Sequence, residues 1–130
     1  MDGRLVPIHR VLLSVSDKTG LIELAKELVN NKAMLISTGG TKKALLDAGI
    51  PAVDISEVTG FPEMLDGRVK TLHPKVFGGI LTRRANPSDQ AEIQQFEIPE
   101  IDLVIVDLYP FEETVASGAS SEEIIEKIDI

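Results

Sequence analysis

The sequence predicts an α/β domain built on a mainly parallel sheet of five strands. Three observations carry this. Short runs such as Val11-Leu12-Leu13 and Leu103-Val104-Ile105-Val106 are apolar throughout rather than alternating, as strands covered on both faces are. Segments with apolar residues at helical spacing alternate with these runs. Polar, glycine-containing stretches stand directly after several strands, on the edge where such sheets bind ligands.

Val11-Leu12-Leu13-Ser14-Val15 is the first strand, broken by Ser16-Asp17-Lys18-Thr19-Gly20, which offers Ser16 or Asp17 as a helix N-cap. Leu21, Ile22, Leu24, Ala25, Leu28 and Val29 then recur at helical spacing as far as Asn30-Asn31, a plausible stop. Ala33-Met34-Leu35-Ile36-Ser37 is a second buried strand, and Thr38-Gly39-Gly40-Thr41 opens a helix that Gly49 closes. Ala52-Val53-Asp54-Ile55 is a third, shorter strand. Residues 57–75 read as an irregular loop, with one helical turn at Phe61-Pro62-Glu63-Met64-Leu65. Gly78-Gly79-Ile80-Leu81 is a fourth strand, weakened by its glycines. Residues 87–96 form a helix, capped by Asn86 and opened by Pro87. The fifth strand, residues 101–108, is the strongest, with burial expected on both faces. Residues 111–116 and 121–128 read as helical, the latter capped by Ser120 or Ser121.

At 130 residues the chain makes one domain with room for a proper core, filled by aliphatics because only four Phe and one Tyr are present. Cysteine is absent, which excludes disulfides and thiolate metal sites and suits a reducing cytoplasm. No apolar run approaches the roughly 20 residues needed to cross a bilayer, and the first residues lack a signal-peptide core. A soluble cytoplasmic protein with no membrane partner is expected. The formal charge of −8 argues against nucleic acid as a partner, since that needs a basic face. An anionic small ligand would need a local group of cations, drawn from Lys18, Lys42, Lys43, Arg68, Lys70, Lys75, Arg83 and Arg84.

Gly67-Arg68-Val69-Lys70-Thr71-Leu72-His73-Pro74 gathers cations, a hydroxyl and an imidazole into a segment that the nearby prolines keep irregular. It reads as a binding loop or as a solvated turn. Ser37-Thr38-Gly39-Gly40-Thr41 has the physics of a phosphate site: glycine lets backbone N–H groups approach, hydroxyls donate, and the helix dipole favours an anion. A glycine that only makes the turn is the alternative. The stretch is neither a Walker A loop nor a GxGxxG fingerprint, so it lends ATP and NAD no support. Asp17-Lys18-Thr19-Gly20 shares four letters with the phosphorylated motif of ion pumps, whose remaining machinery has no room here. His73 is a candidate general base or a structural histidine beside Pro74. With His9 the only other histidine, no metal site is expected. Tyr109 can serve chemistry or anchor the core.

Several strings occur together and in order: Ser14-Val15-Ser16-Asp17-Lys18-Thr19-Gly20-Leu21, Ser37-Thr38-Gly39-Gly40-Thr41, Thr59-Gly60-Phe61-Pro62-Glu63-Met64-Leu65, residues 67–74, and Leu108-Tyr109-Pro110-Phe111. From about Val11 onward the chain closely resembles the inosine monophosphate (IMP) cyclohydrolase domains at the N-termini of bifunctional purine-biosynthesis proteins of the PurH family. The resemblance implies a doubly wound, methylglyoxal-synthase-like fold. It also implies closure of the purine ring of 5-formamidoimidazole-4-carboxamide ribotide to IMP with loss of water. A weak amide nucleophile must then be held in closing geometry, a proton removed, and the formyl oxygen met by preorganised donors. No cofactor is implied for this domain, although the family's transformylase domain uses a formyl-folate.

By matching positions, Ser14, Ser16 and Lys18 would help hold the nucleotide monophosphate, with Ser37, Thr38, Gly39, Gly40, Thr41 and Arg68 around its 5′-phosphate. Lys70 and Thr71 would lie at the formyl group, with Tyr109 and Asp129 completing the catalytic centre. The family's Asn-Leu-Tyr-Pro-Phe is here Asp107-Leu108-Tyr109-Pro110-Phe111, an added negative charge that must be paired or point away. Family members continue past the equivalent of Asp129-Ile130 into a helix with a further catalytic lysine. The resemblance therefore implies a truncated domain, weakly active or inactive alone, whose intact form is a homodimer. The same fold also serves methylglyoxal synthases and regulatory modules that bind phosphorylated effectors, the two alternatives to be kept.

Overall fold

The computed structural model describes residues 5–62, 64–65, 71–107 and 118. In chain order the elements are β1 (Arg10–Ser14), α1 (Leu21–Asn30), β2 (Met34–Ser37), α2 (Gly39–Asp47), β3 (Val53–Asp54), α3 (Ile55–Thr59), α4 (Pro74–Leu81), α5 (Pro87–Gln95) and β4 (Leu103–Val106). The sheet runs β3-β2-β1-β4 and every pairing in it is parallel. The fold class is the expected one, but the sheet has four strands among the described residues. Arg68, Lys70, Tyr109, Asp129 and the expected helices 111–116 and 121–128 lie outside the described residues.

Alternation along β1 and β2 divides the core in two. Val11, Leu13 and Leu35 meet Leu21, Ala25 and Leu28 of α1 and Leu45 of α2 on one face. Leu12 and Ile36 meet Ile55 of α3, Val76 of α4 and Ile101 on the other. Helices thus cover both faces, which makes the sheet doubly wound. Because β2 and β3 extend to one side of β1 and β4 to the other, the strand order reverses beside β1.

The glycine-weakened fourth strand does not form: residues 78–81 are the second half of α4. His73 starts that helix, its Nδ1 accepting from the Lys75 amide at 3.0 Å, and Pro74 occupies its first turn. The glycines serve close packing instead. Gly79 presses against the 98–101 segment, where its carbonyl accepts from the Ile101 amide at 3.0 Å. The helical turn expected at 61–65 falls earlier, in α3, because Asp54 and Glu57 form a reciprocal capping box that starts the helix at Ile55. The same box shortens the third strand to Val53–Asp54.

Neither Ser16 nor Asp17 caps α1. Its N-cap is Gly20 in the left-handed region at φ 73°, while Asp17 Oδ1 turns back to accept from the Thr19 amide at 2.9 Å. Asn86 caps α5 as expected, accepting from the Asp89 amide at 3.0 Å. The fifth expected strand is β4, and it is covered on one face only. Leu103 and Ile105 pack into the core, whereas Val104 and Val106 are 38% and 54% exposed. Their face forms one wall of a cleft at the end of the sheet.

Candidate functional site

The strand order reverses between β1 and β4, and a cleft of about 390 Å³ opens there at the carboxyl ends of the strands. Its polar end is built from Ser14, Ser16 and Lys18 after β1 and from Thr38, Gly39, Gly40 and Thr41 at the start of α2, with Thr71 beside them. Its apolar wall is Leu12 of β1, Val76, Phe77 and Ile80 of α4, and Val104 and Val106 of β4. Asp107 closes the rim.

Hydrogen bonds between the two loops fix this polar end. Ser14 Oγ and Thr38 Oγ1 share a bond of 3.1 Å. Thr41 Oγ1 accepts from the Val15 amide at 3.1 Å and donates to the Val15 carbonyl at 3.0 Å. Lys18 Nζ donates to Thr41 Oγ1 at 3.3 Å and also to the Val15 carbonyl. An ammonium has three donors, so one remains for an anion. Thr38 is the N-cap of α2 but makes no side-chain capping bond, its hydroxyl being engaged with Ser14. The first N–H groups of a helix have no intrahelical acceptor, so Gly39, Gly40 and Thr41 bring donors without a partner among the described residues, and the positive end of the helix dipole, to the cleft.

The two glycines differ. Gly39 has φ 44°, which favours glycine on conformational grounds. Gly40 has no positive φ, and a Cβ built there meets nothing within 4 Å. Neither strain nor packing demands glycine at position 40; the space beside it belongs to the cleft.

Asp107 is the residue the sequence reading underrated. Its Oδ1 accepts from the Ser16 amide at 2.6 Å and its Oδ2 from the Asp17 amide at 2.8 Å. These two bonds, aided by the nearby Lys18 charge, hold its carboxyl below the usual carboxylate range. The added negative charge is therefore paired. An aspartate immediately after a strand and level with a polar loop was the available signal, but only the β1–β4 register, with Ser14 opposite Val106, puts the two together.

Of the residues singled out from the sequence, Ser14, Ser16, Lys18, Thr38, Gly39, Gly40, Thr41 and Thr71 come together in the cleft. Ser37 does not. It is fully buried on the opposite face of the sheet, where its hydroxyl donates to the Leu13 carbonyl at 2.8 Å. The cations are also dispersed. Lys42 pairs with Asp54, Lys43 with Asp47, Arg83 with Asp89, and Arg84 with Glu100 and Asp102. Lys18 is the cation lining the cleft among the described residues. Among the described residues no group of three or more potential metal ligands occurs, and none of their helices is long and apolar enough to cross a membrane.

Comparison with known proteins agrees with this architecture. The family model described as MGS-like domain matches residues 20–130. The bifunctional purine biosynthesis protein PurH of Roseobacter denitrificans is 60% identical over 126 residues, which cover 97% of this chain and 24% of that protein. PurH of Rhodospirillum rubrum is 58% identical over 125 residues, 96% of this chain and 24% of its own length. The chain thus spans about a quarter of the curated relatives it matches. A solved structure titled crystal structure of ForH superposes with a TM-score of 0.72 at 40% identity, covering 78% of this chain and 53% of that one. A family match over most of the sequence and a doubly wound parallel sheet with its cleft at the strand ends lead to one assignment: the chain belongs to the MGS-like domain family.

Proposed function

We propose that this domain binds a purine nucleoside 5′-monophosphate and carries the IMP cyclohydrolase step of purine biosynthesis, in a cytoplasmic protein whose intact form is a homodimer. The observation that supports this most is a single cleft with two chemically distinct ends. The α2 amides, Ser14, Ser16 and Lys18 suit a phosphate, and the aliphatic and Phe77 wall suits a flat heterocycle. Identity of 58–60% to PurH proteins across nearly the whole chain supports the choice of nucleotide and reaction. In this reading the carboxamide nitrogen attacks the formyl carbon and gives up one proton, the formamido nitrogen gives up another as its C=N bond forms, and the formyl oxygen, having taken up charge, receives both protons and leaves as water. Thr71, at the cleft, and Lys70, next to it in sequence, donate to that oxygen, with the Lys70 side chain moving a proton. Arg68 joins the phosphate donors, and Tyr109 and Asp129 complete the catalytic centre. No metal or cofactor enters this step; a formyl-folate belongs to the transformylase half of such a bifunctional protein.

Two substitutions test this. In a protein of the relatives' full length that carries this chain, Lys70→Ala lowers the ring-closure rate by roughly 10²-fold or more while IMP still binds. An unchanged rate, or conversion of dihydroxyacetone phosphate instead, contradicts the assignment. Gly40→Ala separates a ligand glycine from a turn glycine. Its unfolding free energy is unchanged or rises by up to about 1 kcal/mol, the helix propensity gain, yet IMP affinity falls at least about tenfold. Equal losses in both, or in neither, point to a turn glycine.

A further inference from the structure

We propose that Asp107 is a positioning residue for nucleotide binding: its carboxylate clamps the backbone of the β1–α1 loop and so sets where Ser16 and Lys18 stand in the cleft. The proposal rests on the nucleotide reading of the cleft and adds a residue that touches the site through others. Three observations carry it. Both carboxylate oxygens are used, each on one of two consecutive amides, Ser16 at 2.6 Å and Asp17 at 2.8 Å. Asp107 is more than 90 positions away in sequence from Ser16 and stands at the end of β4, whose register against β1 is fixed by four residue pairs. The other ties of the 16–19 backbone among the described residues are local, as where the Lys18 carbonyl accepts from the Leu21 amide at 3.1 Å. Asp17 spends its carboxylate on the Thr19 amide, and Gly20 beyond it is in the left-handed region.

The consequence is a division of labour around Lys18. Thr41 and the Val15 carbonyl anchor its ammonium from the α2 side, while Asp107 anchors the backbone that carries it from the β4 side. Because the loop is exposed, releasing the clamp frees it to sample other conformations, and the ligand then has to order it on binding. Asp107 thereby couples the apolar wall strand β4 to the phosphate end of the cleft. An anion added to the rim of an anion site would weaken binding by repulsion alone. Its place there is accounted for by the two amides it holds.

The test compares two neutral replacements, so that charge is the same in both. Asparagine at 107 keeps one acceptor for the loop amides and alanine keeps none. By titration calorimetry with IMP, Asp107→Ala binds about fivefold more weakly than Asp107→Asn, the worth of one neutral hydrogen bond. In a Lys18→Ala background that difference shrinks toward onefold, because the clamp acts through the loop carrying Lys18; a purely structural role would leave it unchanged. Faster hydrogen exchange at the Ser16 and Asp17 amides in the alanine variant reports loss of the clamp directly. Equal affinities for Asp107→Ala and Asp107→Asn, with the unsubstituted chain still binding IMP, overturn this inference alone. Absence of IMP binding by the unsubstituted chain overturns the nucleotide reading and this inference together.

Discussion

Asp102→Ala lowers the unfolding free energy at neutral pH by about 3 kcal/mol, the cost of breaking a mostly buried ion pair and of taking the acceptor from two backbone amides, although Arg84 keeps Glu100. The Asp102 side chain is 4% exposed and bonded on every side. Its Oδ2 accepts from the His9 amide at 2.7 Å and the Arg10 amide at 2.9 Å, and its Oδ1 takes the Arg84 guanidinium at 2.7 Å. It thus ties the entry of β1 to the entry of β4, at the sheet edge opposite the cleft. Alanine leaves two backbone donors and a third-exposed guanidinium without that partner. Urea denaturation is the direct measurement, and a loss below about 1 kcal/mol would show the pair to be solvated in practice.

The effect depends on pH in a definite direction. Burial pushes the Asp102 carboxyl up, but the bonds from Arg10, His9 and Arg84 outweigh it and the net shift is downward. A carboxyl whose folded pKa lies below its unfolded value of about 3.9 contributes its full stabilisation above that value and loses it as pH falls through the folded one. The gap between the parent chain and Asp102→Ala therefore narrows as pH is lowered below about 4. Asp17, Asp54, Asp89 and Asp107 are shifted the same way, Asp89 to about 2, so the parent chain itself loses stability over this range.

Gly79→Ala is the second large effect, a loss of about 2 kcal/mol. A Cβ at position 79 would lie 2.2 Å from the Pro99 carbonyl oxygen and 3.3 Å from Ile101 Cγ1. The first is backbone and cannot turn aside, so α4 or the 98–101 segment must move, an overpacking cost of roughly 3 kcal/mol offset by about 1 kcal/mol of helix propensity. Gly78 is the internal control. Its Cβ would meet only the Ile98 side chain, nearest at 3.0 Å, which can rotate, and Gly78→Ala stays within about 1 kcal/mol of the parent. Thermal unfolding of the two variants side by side separates the cases; equal stabilities would mean that α4 does not press on Pro99.

These glycines also explain where sequence reading went astray. Gly-Gly-Ile-Leu carries no helix signal of its own, and α4 forms because His73 and Pro74 start it and because its backbone must approach residues 98–101 closely. That reason is tertiary and not visible in four letters. α1, α2 and α5 were legible because local chemistry specified them: an apolar stripe ending at Asn30-Asn31, a Gly49 at φ 77° after α2, and the Asn86-Pro87 start. β4 was legible as a strand but not in its setting. Four successive aliphatics read as two-sided burial, whereas Val104 and Val106 face the cleft.

The polar residues of the cleft were legible because parallel strands deliver the loops after them to one edge. Ser37 is the instructive exception. It shares the β2 face of Leu35, not that of Ile36, so strand alternation turns its hydroxyl away from Ser14 and into the core. Asp107 was seen only as a charge out of place, since its partners are backbone amides and amides leave no mark in a sequence.

A ¹⁵N-resolved titration of the chain with IMP tests the nucleotide cleft most directly. Saturable shifts at the Gly39, Gly40 and Thr41 amides, with Val104 and Val106 on the facing wall, are the predicted result. Saturation without those amides moving, or shifts confined to the opposite edge around Arg10 and Glu100, would contradict it.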